Sequence, residues 1–488
     1  MAAKTNKSFS DIDKSVFFFA QKCGRCHPGG GGLENDRDGH RYFDEKTGKF
    51  GYQLSKRDPK FDGDYTGFSA GNPKFGAPWD KSGVVEADCL MCHIKGYSWK
   101  ARMSALNGRK FRWGPAIGLG WADVEMGKDK TGTPKVNTVT INYSKTKIAD
   151  FKGLGDQITK AVPAKNCWSC HQKSDTKKRG RSIEPDKDIH LKKMGTCVTC
   201  HPSDKQHNFA KGDAGLSTVR DDLDNTMKTC ADCHLSKDGN TAPHPAKHSF
   251  PPTHYTQIAC ESCHIPYKDK PGVLVVDNAA TGKTIGYPTA KFLKFNKEKP
   301  KRWMPALKLH RGKIKPFKEL VAIWWGDLDE KTGVVAPIPL WKIRGMSKPK
   351  PQDDNGDGKP EVNTASEIKT FLVAIKNAKD KFGTPIAKNP ALVKGGRIYK
   401  LAGENLTHYE DHQAESHGFS LSHNVLDSSV AVGKKGCQEC HSKDSSFFFR
   451  KVLVDPYGED GKPVFKPTWT LMGYTKDQVK HFTTLKVK

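Results

Sequence analysis

All 14 cysteines of this 488-residue chain fall in one pattern, Cys-x-x-Cys-His, which occurs seven times and leaves no cysteine over. The motifs are Cys23, Cys26 and His27; Cys89, Cys92 and His93; Cys167, Cys170 and His171; Cys197, Cys200 and His201; Cys230, Cys233 and His234; Cys260, Cys263 and His264; and Cys437, Cys440 and His441. The intervening pairs (GR, LM, WS, VT, AD, ES, QE) share nothing, so only the spacing and the histidine recur. This is the attachment signature of c-type haem. Two thiols one helical turn apart can add to the two vinyl groups of a porphyrin, and the adjacent imidazole then reaches the iron as proximal ligand. Seven motifs imply seven irons. Zinc would need the cysteine pairs in twos and gives the invariant histidine no role, and disulfides inside such short loops are strained and also ignore it.

A chain built around porphyrins needs less apolar surface of its own. Apolar residues make up 35%, and counting the 46 glycines brings the total to about 45%, the low end for a globular protein. Burial around cofactors is expected to replace much of a conventional core, so the chain without haem is expected not to fold stably. The formal net charge is +27; two propionates on each of seven haems would lower it to about +13. The remaining positive charge suits acidic redox proteins, anionic substrates or anionic lipid. Nucleic acid is not an expected partner, because no nucleic-acid-binding motif accompanies the charge. The run Lys177, Lys178, Arg179 and Arg181 reads as solvated loop charge. No stretch reaches the roughly 18 to 20 apolar residues of a membrane-spanning helix, and no secretory signal is evident. Covalent haem attachment implies an exoplasmic location, periplasmic or at the cell surface, with the leader removed.

Motif spacing suggests three regions. Residues 1–160 carry two motifs, residues 161–270 carry four at intervals of 30, 33 and 30, and residues 271–488 are haem-poor until the last motif. The expected fold is mostly irregular coil with short α-helices and a few β-hairpins, wrapped around the seven haems. Val136 to Tyr143 alternates as a strand, and Leu274 to Gly286 and Val452 to Phe465 read as hairpins. A helix is expected from Ala365 to Lys379, with Ile368, Phe371, Leu372 and Ile375 on one face and Thr364 and Glu367 as its capping box. Trp303, Trp324, Trp325 and Trp341 read as packing residues. Asp353, Asn355, Asp357 and Gly358 match the opening of a calcium loop, although the twelfth position is Thr364 instead of Glu; a polar turn is the competing reading.

A haem that only transfers electrons is best served by a second protein ligand, since six-coordinate iron changes little between its redox states. Of 19 histidines, 12 lie outside the motifs. His40, His190, His207, His244, His248, His254, His408, His412, His417 and His423 are the candidate distal ligands, most of them close to a motif or clustered ahead of Cys437. His310 and His481 are expected to be ordinary histidines. Which histidine serves which iron does not follow from spacing. No catalytic residue is assigned.

The seven motifs and clustered histidines resemble the large multihaem cytochromes c of anaerobic respiration. ESHGFSLSHNVL (Glu415 to Leu426), GCQECHS (Gly436 to Ser442) and FFFRKVLVDPYGEDGKPV (Phe447 to Val464) resemble a subgroup from metal-reducing and related bacteria. The resemblance implies electron transfer by bis-histidine haems, with a membrane quinol-oxidising complex as one partner. It also implies two variants: a self-assembled filament, and a reductase of nitrite, hydroxylamine or sulfur oxyanions at one five-coordinate haem. The nitrite reductases of the class mark their catalytic haem with CxxCK, which is absent here.

Overall fold

The computed structural model describes residues 17–29, 33, 43–44, 49–50, 85–128, 130–131, 134–145, 149–179, 186–212, 224–236, 242–245, 250–269, 273–287, 302–356 and 358–485. His40, His248 and Asp357, all expected site residues, lie outside them. The chain divides into two compact units, Met1–His171 with Gly195–Val198, and Gln172–Met194 with Thr199–Lys488.

The first unit is built from short helices and one long hairpin. Helices α1 (Phe17–Cys23), α2 (Leu90–His93) and α3 (Trp99–Asn107) precede the antiparallel strands β1 (Ala122–Lys128) and β2 (Pro134–Tyr143). Strand β2 covers the segment whose alternation marked it as a strand. Its apolar clusters are small, one of Met91, Ile94 and Tyr97 and another of Ala105, Ile117 and Ala122. Helix α4 (Ala164–Arg179) carries the third motif and runs on through Lys177, Lys178 and Arg179. At Lys177, Lys178 and Arg179 the run expected in a loop is helical, and Arg181 lies outside the described residues.

The second unit also begins with short helices, α5 (Ile189–Met194), α6 (Cys230–His234), α7 (Pro252–Gln257) and α8 (Cys260–His264). Its bulk is a nine-stranded sheet. The strands in order are β3 (Lys268–Asp269), β4 (Val273–Asp277), β5 (Lys283–Tyr287), β6 (Arg302–Trp303), β7 (Ala306–His310), β8 (Lys313–Leu328), β9 (Val335–Pro337), β10 (Pro390–Lys394), β11 (Arg397–Ala402), β12 (Asn405–Glu410) and β13 (His417–Ser420). The large sheet runs β12–β11–β10–β8–β4–β5, with β7, β9 and β13 also paired to β8, while β3 and β6 pair separately. Strand β8 is the spine: β4 joins it in parallel, and its four other partners are antiparallel. Gly395 and Gly396 close the β10–β11 hairpin with φ of 59° and 85°, the two left-handed positions that a two-residue hairpin turn of this kind demands.

Helix α9 (Ala365–Asn377) packs on this sheet. Thr364 and Glu367 form its capping box, and Ile368, Phe371, Leu372 and Ile375 are all buried. Its face meets Ile323, Trp325 and Leu392, and the rings of Trp325 and Phe371 stack with centres 5.2 Å apart. The expected C-terminal hairpin is present as β14 (Lys451–Asp455) and β15 (Val464–Pro467), followed by α10 (Lys476–Thr484).

The haem-poor stretch therefore contains far more sheet than the hairpins visible in its sequence. The reason is register: β8 recruits β10 and β13 from about 65 and 100 residues downstream, and such pairings leave no local signal. The apolar cluster between this sheet and α9 is larger than those around the second and third motifs.

Leu372→Ala removes a side chain with no exposed surface and is expected to lower unfolding free energy by about 2–5 kcal/mol. Val373→Ala, on the exposed side of the same helix, is expected to be near neutral; denaturant titration of both variants checks this.

Candidate functional site

Haem attachment would need two thiols and an imidazole from a single turn, and six of the motifs have one. The amide of His27 donates to Cys23 O (2.9 Å), that of His93 to Cys89 O (3.1 Å) and that of His441 to Cys437 O (2.9 Å). The third, fifth and sixth motifs lie within α4, α6 and α8, and α6 is capped by Thr229 and Asp232.

The motif imidazoles are then oriented by backbone carbonyls. Nδ1 of His93 donates to Thr159 O (3.0 Å), His201 to Ala210 O (2.9 Å), His234 to Pro243 O (2.7 Å) and His441 to Phe482 O (2.9 Å). A carbonyl only accepts, so Nδ1 carries the proton and Nε2 keeps the lone pair that a metal needs.

Three motif histidines face a histidine from elsewhere in the second unit. The ring centres of His190 and His234 are 6.0 Å apart, those of His201 and His423 6.1 Å, and those of His254 and His441 6.0 Å. Two imidazoles on opposite faces of one iron, each at a metal–nitrogen distance of about 2 Å, hold their ring centres about 6 Å apart. The spacing fits a haem iron between each pair. Burial, and after it the neighbouring His441, holds His254 below its ordinary pKa, favouring the neutral form that ligates metal. Among the described residues no three His, Cys, Asp or Glu side chains converge as a metal-binding cluster; here the histidines come in twos.

The cysteines of different motifs are also neighbours. In the first unit, the Cys170 thiol is within hydrogen-bonding reach of Cys26 and close to Cys92, and Cys167 is within reach of Cys197. In the second, Cys200 lies near Cys233, Cys230 within reach of Cys260, and Cys263 near Cys440.

Buried polar residues hold these segments in place. Arg102, with no exposed surface, pairs with Asp88 at 2.8 Å and donates to Gly24 O and His27 O (3.3 and 3.5 Å), joining the first two motifs. Tyr97 donates to the same carboxylate. Asn166 Nδ2 donates to Cys92 O (2.9 Å) and Ile94 O (2.7 Å), fixing the third motif against the second. In the other unit the Asp188 carboxylate accepts from the amides of His190 (2.9 Å), Leu191 (3.1 Å), Asn424 (2.7 Å) and Val425 (3.2 Å). One carboxylate thus positions the segments of two candidate distal ligands, His190 and His423.

Sequence reasoning missed Asp88, Arg102, Asn166 and Asp188. Asp188 had a local signal, an acidic N-cap directly before a helix that carries a candidate ligand; the others act over long sequence separations and had none.

Other expected ligands are placed differently. His408 lies exposed on β12 with its ring against Tyr399, and His412 is 87% exposed beside Asp411; among the described residues neither meets a motif histidine. His207 and His244 sit in exposed loops, and His417 is half-buried on β13. His310, expected to be ordinary, packs against Phe317, and His481 is exposed. In the calcium-like turn, Asp353 accepts from the Gly358 amide (2.8 Å) and Asn355 donates to Gly461 O (3.0 Å).

No protein-family model, curated protein or solved structure matches the chain. No helix among the described residues is long and apolar enough to cross a membrane.

Asp188→Ala takes the carboxylate acceptor from one buried and three half-buried amides and is expected to destabilise the second unit by about 2–4 kcal/mol. Amide exchange at residues 190, 191, 424 and 425 is expected to lose protection together, with Asp188→Asn intermediate.

Proposed function

We propose that this chain is a heptahaem c-type cytochrome that carries electrons between a respiratory donor and an external or periplasmic acceptor. The observation that carries the reading is the set of three histidine pairs at 6.0–6.1 Å, each joining a motif histidine to one of the expected distal ligands. Haem supplies reversible one-electron iron chemistry when bound. The chain's own residues attach it through the 14 cysteines, supply Nε2 ligands, and hold those imidazoles through carbonyls and buried carboxylates. Bis-histidine ligation leaves no open iron position, which favours conduction over catalysis.

The neighbouring cysteines support an order of transfer within each unit. Thiols that attach neighbouring porphyrins bring those porphyrins close at their thioether edges. In the second unit the neighbouring thiols run from the fourth motif to the fifth, sixth and seventh, which is sequence order; hydrogen bonds from the Lys228 amide to Cys200 O (2.9 Å) and from the Val432 amide to Cys263 O (3.0 Å) brace the first and last steps. In the first unit the third motif neighbours the first, the second and Cys197.

A filament form has separate support. His408 and His412 are exposed on and just after edge strand β12, where a second copy of the chain could receive them as ligands. Electron microscopy of the purified protein distinguishes polymer from monomer.

Pyridine haemochrome assay is expected to return seven haems, and low-temperature electron paramagnetic resonance of the oxidised protein seven low-spin irons. The nearly parallel rings of His254 and His441 (12°) predict a rhombic signal, and the crossed rings of His190 and His234 (64°) a highly anisotropic one. His423→Met is expected to raise the potential of one haem, as methionine–histidine ligation does. A high-spin signal equivalent to one haem would instead favour a reductase with an open iron position.

A further inference from the structure

Arg450 is a buried charge that no carboxylate neutralises among the described residues. It stands between a short helical turn, Ser446–Phe449, and strand β14. Its backbone is pinned by Thr468, whose amide and Oγ1 both donate to Arg450 O at 2.8 Å. The residue is 9% exposed; Nη1 donates to Pro305 O (2.5 Å), and Nε has no hydrogen-bond partner among the described residues. Three other buried cations are each neutralised: Arg102 meets Asp88 at 2.8 Å, Lys308 meets Glu319 at 2.8 Å and Lys394 meets Asp455 at 2.7 Å.

The sixth and seventh motifs border this charge. Arg450 lines one cavity with Ser262, inside the sixth motif, and with Ile265 just after it. Its charge also acts on the Cys440 thiol of the seventh motif. Cys440 in turn lies near Cys263 and packs with Phe447 and Phe448 in an apolar cluster. Burial pushes the guanidinium down to about 10, which leaves it charged at neutral pH. In such apolar surroundings a charge is felt strongly by its neighbours. Glu439 acts on the same two thiols with the opposite sign. Its carboxylate is half-buried and accepts from the amides of Gly433 (2.8 Å) and Lys435 (3.3 Å), so water and those dipoles screen it more than they screen Arg450.

We propose that Arg450 sets redox potential: its uncompensated charge, bordering both motifs, favours ferrous iron at the sixth and seventh haems and makes that end of the chain the exit for electrons. The inference rests on haem attachment at those motifs. Reducing a ferric iron adds one negative charge to the haem, so a fixed positive charge nearby stabilises the reduced form and raises the potential. A porphyrin carries its propionates on the edge opposite its thioether bonds, which places them away from a cation beside Cys440. The neighbouring thiols order the second unit from the fourth motif to the seventh. An electron passing along that run leaves each earlier iron ferric and the last one ferrous, with no bond made or broken.

The test is a potentiometric titration of the haem-loaded protein followed by electron paramagnetic resonance, with haem content measured first. In wild type the rhombic signal of the His254–His441 pair is expected to vanish on reduction before the anisotropic signal of the His190–His234 pair. In Arg450→Gln the haems of the sixth and seventh motifs are expected to shift to more negative potential while the others stay unmoved. Arg450→Lys, which keeps the charge, is expected to remain near wild type. If Arg450→Gln does not fold, the wild-type order carries the test, and the reverse order overturns the proposal. Seven haems with an unchanged titration in Arg450→Gln would overturn it and leave the cytochrome reading intact. A shift spread over all seven haems would assign Arg450 a structural role alone and would overturn it too. Unmodified Cys260, Cys263, Cys437 and Cys440 would overturn the reading beneath it.

Discussion

The use of each motif depends on which imidazole nitrogen is left with a lone pair. For His93, His201, His234 and His441 that choice is made by a hydrogen bond from Nδ1 to a backbone carbonyl. The acceptors come from outside the motif turns, as far away in sequence as Thr159 for His93, so the folding of other segments sets the ring orientation. The bond also restricts rotation of the imidazole, which gives a second histidine a defined direction from which to approach.

That second histidine is placed by buried charge. Asp188 gathers four amides from two segments separated by more than 200 residues, and Arg102 with Asp88 joins two motifs more than 60 residues apart. A buried ion or carboxylate is stabilising only when its hydrogen bonds are complete. These networks therefore specify geometry sharply, since losing one partner strands the rest.

The sheet of the second unit has a different energetic basis. Strand β8, helix α9 and strand β10 bury apolar side chains against one another. This gives one edge of the motif array a rigid support, to which the sixth motif is fastened through Ile314 O.

The seven Cys-x-x-Cys-His motifs were legible from sequence, because their spacing is fixed and local. Helix α9 and its cap were legible for a similar reason, since apolar period and capping box both act within one or two turns. The histidine pairs, the neighbouring thiols, the role of Asp188 and the nine-stranded sheet were decided only by the tertiary structure. Histidines such as His190, His254, His408 and His412 look alike in sequence, yet two face motif histidines and two stand in solvent. Each depends on contacts between residues far apart in the chain, and the direction in which a side chain meets a distant partner leaves no periodic trace in the residues around it.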